Sequence, residues 1–363
     1  MTKLIVLVGI PGSGKSRYAK HRMHFTKDTV HIESDAIREE LFNGKQGKEE
    51  TKEVFEVMFL RTMQALEQDL DVIYDATNVS YKDRRRLLNS TPKDVRKECF
   101  AIITPIDVCK ARNSQRENPV PEEVIDRMVK RFNYPLASEG FDYIGFINGN
   151  TRFSKDVEKS TGFMGDIDVE SLLAFIKGES AIPAWEGLSD HQLSIKLFRN
   201  LARITPEFHK ITGLAQDNPN HTFSVSMHMY HVWKDVLRQK EMYEGSEGYE
   251  LVDWDSLAVS ALLHDIGKGF TKEFKDAKGN STKFAHYYNH ENVSAYLSVI
   301  FSISMINILS EYAVNIGKVA TLVQFHMKAY PYAKNEKKWK KLIDDETTFL
   351  ELGILNEADK NSK

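Results

Sequence analysis

The chain has 363 residues, 41% hydrophobic and 28% charged, which is too long for one ordinary core and typical of a globular protein, so two domains are expected. A formal net charge of −3 provides no global basic field, so any contact with nucleic acid must come from local patches. Cys99 and Cys109 lack metal-like spacing and read as buried thiols in a reducing compartment. No run of about 18 apolar residues predicts a membrane span. An apolar strand beginning at residue 4 argues against a signal peptide, so no membrane partner and a cytoplasmic location are expected.

In chain order, Leu4-Ile5-Val6-Leu7-Val8 reads as a buried strand that runs straight into Gly9-Ile10-Pro11-Gly12-Ser13-Gly14-Lys15-Ser16. Helix formers follow from Arg17. This is G-x-x-x-x-G-K-S between strand and helix, the phosphate loop in the context it needs. Gly12, Ser13 and Gly14 belong to a curl whose N–H groups face phosphate oxygens, and the helix N-terminus adds a favourable dipole. Lys15 would reach the β- and γ-phosphates of ATP or another nucleoside triphosphate, and Ser16 would hold Mg²⁺. A plain glycine turn would need neither Lys15 nor Ser16.

Further strands are expected at residues 30–34, 72–74, 100–103 and 143–147, with helical stretches between them, one carrying Arg84-Arg85-Arg86. That alternation predicts a parallel α/β sheet with helices on both faces over residues 1–150. Ligands gather at the carboxyl ends of such strands, which puts the phosphate loop, Asp35 and Asp75 on one rim. Asp35 follows the second strand, and Arg38 lies one helical turn on, on the same face. A carboxylate there suits a base for an acceptor hydroxyl, with Arg38 binding an anion on that acceptor; a helix-starting Asp with a solvated Arg reads equally simply. Asp75-Ala76-Thr77-Asn78 is either a substrate-binding cluster or a capped turn. Arg112 and Arg116, four apart and followed by Pro119-Val120-Pro121, suit one helix face of a mobile lid whose cations meet the transferring phosphate. A solvated basic helix is the alternative.

Together these pieces resemble the 5′-hydroxyl polynucleotide kinases of bacteriophage and bacterial end-healing enzymes. The matching parts are G-x-P-G-S-G-K-S at 9–16, S-D-x-x-R at 34–38, D-x-T-N at 75–78, and R-N-S-x-R at 112–116 with Val-Pro following. The resemblance covers about residues 1–147 and implies ATP·Mg²⁺ on Lys15 and Ser16, Asp35 as general base and Arg38 on the acceptor's phosphate. It also implies Arg116 on the donor phosphates and Arg112 beside the adenine. Arg84, Arg85 and Arg86 match no motif and are left as a candidate strand-binding patch.

Residues 151–187 read as a linker with a short helix at 169–176, and residues 188–363 as an all-α domain without strands. Seven of the twelve histidines fall between His221 and His326. In Leu262-Leu263-His264-Asp265-Ile266-Gly267-Lys268 the His-Asp pair ends an apolar helix, and Gly267 would let the chain turn toward a site. Imidazoles with carboxylates suit a divalent ion such as Mn²⁺, Fe²⁺, Co²⁺, Ni²⁺ or Zn²⁺. The arrangement is similar to the HD phosphohydrolase superfamily, and locally to the HD domain of bacterial tRNA nucleotidyltransferases, with His286 to Glu291 as H-x-x-x-H-E. That likeness implies one metal on His228, His264, Asp265 and Asp359, and a second completed by His290 and His326 with Asp265 bridging. Lys268 and His221 would grip the substrate phosphate, while His231 reads as a packed histidine.

A kinase joined to a metallophosphohydrolase suits broken RNA, whose ends carry a 5′-hydroxyl and a 2′,3′-cyclic phosphate where a ligase needs a 5′-phosphate and a 3′-hydroxyl. The expectation is an end-healing enzyme acting on 5′-hydroxyl and cyclic- or phosphate-terminated ends, RNA before DNA, with an RNA ligase downstream. The rivals are a nucleoside or sugar kinase fused to a nucleotide phosphohydrolase, and a non-catalytic ATP-dependent switch that binds RNA or a signalling nucleotide.

Overall fold

Continuous apolar runs make strands that can be buried on both faces, and the N-terminal part is built on five of them. The computed structural model describes residues 1–45, 47–149, 167–219, 221–309, 314–328, 343 and 345–362. The chain divides into two units, Met1–Val129 with Pro135–Asn150, and Lys130–Tyr134 with Thr151–Lys363.

In the first unit the strands are β1 (Lys3–Val8), β2 (Thr29–Glu33), β3 (Asp71–Asp75), β4 (Arg96–Ile103) and β5 (Tyr143–Asn148). They form one parallel sheet in the order β2-β3-β1-β4-β5, with β1 at its centre and Leu4 to Val8 wholly buried. The flanking helices are α1 (Lys15–Met23), α2 (Ser34–Phe42), α3 (Lys48–Glu67), α4 (Tyr81–Ser90), α5 (Ile106–Ser114) and α6 (Glu122–Lys130). Ile5, Leu7, Ile73, Phe100 and Ile102 close over Ala19 of α1 as one core cluster. Register then sets the rim: Asp75 pairs with Leu7 on one side and Glu33 on the other, so both acids end their strands beside the loop that follows β1. Cys99 and Cys109 are free and buried, and burial pushes the Cys99 thiol up to about 12.

Arg84 does not join a strand-binding patch. Ser80 and Asp83 cap α4 reciprocally, which turns Arg84, Leu87 and Leu88 inward. The fully buried Arg84 guanidinium donates to both Glu139 carboxylate oxygens, at 2.8 and 2.7 Å, and to the Asn78 carbonyl at 2.9 Å. Arg86 instead pairs with Glu56 and covers the Phe59 ring.

The second unit is helical: α7 (Val169–Lys177), α8 (Asp190–Ile204), α9 (Val225–Tyr243), α10 (Trp254–Leu263), α11 (His290–Leu309), α12 (Ile316–Phe325) and α13 (Glu346–Asn361). Of the residues read as a linker, 167–187 supply α7 to this unit. Leu172, Leu173 and Ile176 are buried, the Ile176 carbonyl accepts from Trp233 Nε1 at 2.7 Å, and Phe175 meets the rings of Trp185 and Trp233. The expectation of no strands is corrected by an antiparallel hairpin of β6 (Glu273–Lys275) and β7 (Ser281–His286). Its side chains are mostly exposed, so no apolar alternation marks it. The turn is set by Asp276, whose carboxylate accepts from the Lys278 and Asn280 N–H groups. Among the described residues no helix is long and apolar enough to cross a membrane.

Replacing Arg84 with Met strands a buried carboxylate at Glu139. Arg84→Met is therefore expected to destabilise the first unit by about 3–5 kcal/mol, with most of the loss recovered in Arg84→Met/Glu139→Leu. Calorimetric melting of the three proteins measures both effects.

Candidate functional sites

The loop after β1 turns at Gly12, where φ is +79° and a Cβ would lie 2.2 Å from the Cys109 carbonyl oxygen, so only glycine fits. The Ser13 carbonyl is held by the Thr104 hydroxyl at 2.9 Å, and Gly9 N–H donates to the Thr77 carbonyl at 2.9 Å. Lys15 opens α1, and its buried ammonium donates to the Ile10 carbonyl at 3.1 Å. Burial pulls the Lys15 pKa below its ordinary value against the attraction of Asp75 and Asp35. This desolvated cation lines a cleft of about 600 Å³ together with Gly12, Gly14 and Ser16.

The same cleft collects Asp35 and Arg38 from α2, Asp75 and Thr77 from the end of β3, and Arg112 and Arg116 from the end of α5. Asp35 does not cap its helix; its carboxylate is ion-paired with Arg116. Arg38 donates to the Thr51 hydroxyl at 3.4 Å, and Arg112 to the Gly149 carbonyl at 2.9 Å. Ser13 is buried and does not line the cleft. Asn78 is also turned away from it: its buried amide donates to the Leu7 carbonyl at 2.8 Å and fastens β1 to the turn after β3.

The lid residues do not share one helix face. Helix α5 stops at Ser114 because the Asn113 side chain donates to the Val120 carbonyl at 2.7 Å and accepts from the Val120 N–H at 3.1 Å, clasping the segment between them. Arg116 lies in the turn beyond the helix end. Also outside the sequence reading are His31, whose Nε2 is 3.1 Å from an Asp75 carboxylate oxygen, and Glu33 beside them. Their i, i+2 spacing on a strand was the available signal, since it places both side chains on one face.

In the second unit, His264 and Asp265 follow α10. Gly267 permits this junction by closeness and not by φ, which is an ordinary −67°. A Cβ there would lie 2.4 Å from the His290 carbonyl, and the Gly267 N–H donates to the Ser294 hydroxyl at 2.9 Å. Helix α10 can therefore meet the start of α11 without a gap.

Four imidazoles then converge. Each directs Nδ1 at a backbone carbonyl: His228 at Ser362 (3.0 Å), His264 at Ala261 (2.8 Å), His290 at Tyr287 (2.9 Å) and His326 at Val323 (2.6 Å). A carbonyl accepts only, so the proton sits on Nδ1 and each Nε2 presents a lone pair. Those four Nε2 atoms surround Asp265, whose one oxygen faces His264 (3.3 Å) and His228 (3.5 Å) and whose other faces His290 (3.1 Å) and His326 (3.8 Å). Asp359 adds an oxygen 3.0 Å from His228 Nε2. Burial opposes charge on Asp265, yet the Lys268 ammonium at 2.7 Å holds its carboxyl well below the usual range.

This donor set fits divalent ions. Ligands about 2.1 Å from an ion and roughly 90–110° apart stand about 3.0–3.4 Å from one another. His228–His264 and His290–His326 are both 3.3 Å apart, and the atoms of His228, His264 and Asp359, like those of Asp265, His290 and His326, form one close group each. Lys268 and His221 line a cavity of about 330 Å³ over this centre, and Gln216, which the sequence did not single out, accepts from Lys268 at 2.8 Å. His231 faces Phe223 and Tyr230 instead.

Two classes of domain thus share the chain, a P-loop kinase domain on a helix-flanked parallel sheet and, after it, a helical HD domain. Residues 4–135 match the AAA_33 family, an AAA domain, and residues 225–362 match the HD domain family. The chain is similar to L-seryl-tRNA(Sec) kinase of Methanococcus maripaludis, 30% identical over 152 residues, which are 38% of this chain and 56% of that protein. It is also similar to Protein kti12 of Schizosaccharomyces pombe, 23% identical over 153 residues, 38% and 54% of the two chains. The chain spans about half the length of these curated relatives. Among solved structures, a Pnkp1/Rnl/Hen1 complex aligns with 29% of this chain and 37% of that one, at 23% identity and a TM-score of 0.28. A Pnkp1/Rnl/Hen1 RNA repair complex aligns with 39% and 46%, at 23% identity and a TM-score of 0.34.

The two ligand groups predict up to two divalent ions per chain, counted by plasma mass spectrometry after loading with Mn²⁺. Asp265→Asn is expected to lose most of that metal, and Lys268→Met to keep it. Chelation should lower the melting temperature of the HD domain, because it leaves converging lone pairs and carboxylates without a counter-charge.

Proposed function

We propose that the protein heals nucleic-acid ends, RNA in preference to DNA. In this reading the first domain phosphorylates a 5′-hydroxyl end with ATP, and the HD domain hydrolyses a 2′,3′-cyclic phosphate or a terminal 2′- or 3′-phosphate. The observation that carries it is the kinase cleft, which Asp35 lines together with the cations Lys15, Arg116 and Arg38; in this reading Lys15 and Arg116 serve the donor and Arg38 the acceptor. A small neutral acceptor such as a nucleoside would leave Arg38 without an anion to bind.

In this mechanism Lys15 and the loop N–H groups hold the donor phosphates, and Ser16 and Asp75 would hold Mg²⁺, whose charge would offset theirs. Arriving phosphates draw Arg116 away from Asp35 and free that carboxylate. Asp35 takes the proton of the acceptor hydroxyl as its oxygen attacks the γ-phosphorus and ADP leaves. Arg116 meets the charge on the transferred group, and Arg38 the acceptor's own phosphate.

In the HD domain, divalent ions on His228, His264 and Asp359 and on His290 and His326, with Asp265 between, would supply Lewis acidity and a water of lowered pKa. Mn²⁺, Co²⁺, Ni²⁺, Fe²⁺ and Zn²⁺ all suit this nitrogen and oxygen set. Lys268 and His221 bind and orient the substrate phosphate. An RNA ligase would be the natural consumer of both products.

The relationship to an L-seryl-tRNA(Sec) kinase supports a second reading, in which the acceptor hydroxyl belongs to an amino acid carried on tRNA.

Labelled ATP is expected to phosphorylate a 5′-hydroxyl oligonucleotide. Asp35→Ala should reduce this at least 100-fold while ATP still binds, whereas Lys15→Met should lose both. Transfer to seryl-tRNA or to free nucleosides, with none to oligonucleotides, would select another acceptor. His264→Ala should abolish hydrolysis of 2′,3′-cyclic nucleotides and leave the kinase reaction unchanged.

A further inference from the structure

The β6–β7 hairpin supplies no ligand to either metal group, yet its outgoing end runs into the cavity above them. In strand β7 Ala285 is fully buried and Phe284 is 44% exposed; His286 closes the strand, and Tyr288 follows in the turn beyond it. His286 and Tyr288 stack with rings 5° from parallel and centroids 5.2 Å apart, and both line the cavity with Asp265, Lys268, His290 and His326. On the neighbouring strand Phe274 is 45% exposed. Each exposed phenylalanine carries an ammonium, Lys283 at 5.6 Å from the Phe284 centroid and Lys272 at 5.8 Å from that of Phe274. Lys275 and Lys278 add cations toward the turn. The arm is also fixed in place. Ala285 N–H donates to the Asp217 carbonyl at 2.9 Å and the Tyr287 hydroxyl to the Gln216 carbonyl at 2.6 Å, while the Tyr287 carbonyl holds His290.

We propose that this hairpin is a binding arm for single-stranded polynucleotide: bases stack on Phe274, Phe284 and the His286–Tyr288 pair, phosphates meet the lysines, and the phosphorylated 3′ end enters the metal-ligand cavity. Rings alternating with cations are what a polyanion with flat bases requires. Two residues of a strand advance about 6.8 Å, twice the 3.4 Å rise of a stacked nucleic-acid strand, so the step from Phe284 to His286 matches an unstacked single strand and not a duplex. A cavity lined by Lys268 and His221 at the end of the row selects a phosphate terminus over an apolar partner. The inference rests on the reading of the HD domain as an end-processing phosphohydrolase, and it makes polymeric ends its substrate in preference to mononucleotides.

The test compares 2′,3′-cyclic AMP with an RNA of about ten nucleotides that carries a 2′,3′-cyclic phosphate and a 5′-phosphate, the latter to deny the kinase domain an acceptor. In the full metal-loaded chain, Phe284→Ala/Lys283→Ala is expected to raise KM for the RNA about tenfold, with kcat unchanged and cyclic AMP turnover unaffected. Phe284→Trp should retain the wild-type KM. Fluorescence anisotropy of the same labelled RNA with the metal-free chain should show a matching tenfold weakening. Equal RNA affinity in wild type and the double variant overturns the arm, and so does an equal loss on both substrates. If the wild type hydrolyses neither substrate, the end-processing reading fails, and the anisotropy comparison still decides whether the arm binds RNA.

Discussion

The HD domain depends on one small choice made four times, the placement of the imidazole proton on Nδ1. His228, His264, His290 and His326 sit on different elements, yet each finds a main-chain carbonyl behind it, and three of the four carbonyls lie three residues upstream. Main-chain geometry thereby decides which nitrogen is basic, and four lone pairs converge on a single carboxylate. Such a set is repulsive without a cation at its centre. The helices that hold it are apolar almost all round, and this buried packing is what keeps the donors from relaxing apart.

The kinase domain obeys a different constraint. Its cleft is assembled at the ends of parallel strands, so the register of the sheet, and not helix packing, sets the distances across it. Two buried polar groups secure that register. Asn78 ties the turn after β3 to the Leu7 carbonyl, and Arg84 holds the Asn78 carbonyl and Glu139 together. Neither Asn78 nor Arg84 lines the cleft itself. Asp35 and Arg116, which both line the cleft, pair with each other.

Residues whose chemistry is local in sequence were legible. The phosphate loop needs its glycines, Lys15 and Ser16 within eight positions, and the strand before it is plain from Leu4 to Val8. His264-Asp265 ends an apolar helix, and the remaining ligands stand out because histidine is otherwise sparse. What escaped notice depends on long-range partners. Asn78 sits in a motif but answers to Leu7, Arg84 sits in a basic run but answers to Glu139, and Arg116 leaves its helix because Asn113 reaches Val120. Gly267 is required for its smallness and not for conformational freedom, and a close approach to α11 has no local signature in the sequence. The hairpin is not legible in the sequence because its strands are open to solvent and lack the apolar alternation by which strands are recognised.

The carbonyl that orients His228 belongs to Ser362, 134 residues further along the chain. This gives the two halves different histories during synthesis. All five strands of the kinase sheet lie within the first 148 residues, so that domain can fold while the remainder is still being made. The converging donor set runs from His228 through Asp359 and cannot set its first imidazole until Ser362 has arrived. A nascent chain would therefore complete the kinase sheet well before it could orient all four imidazoles.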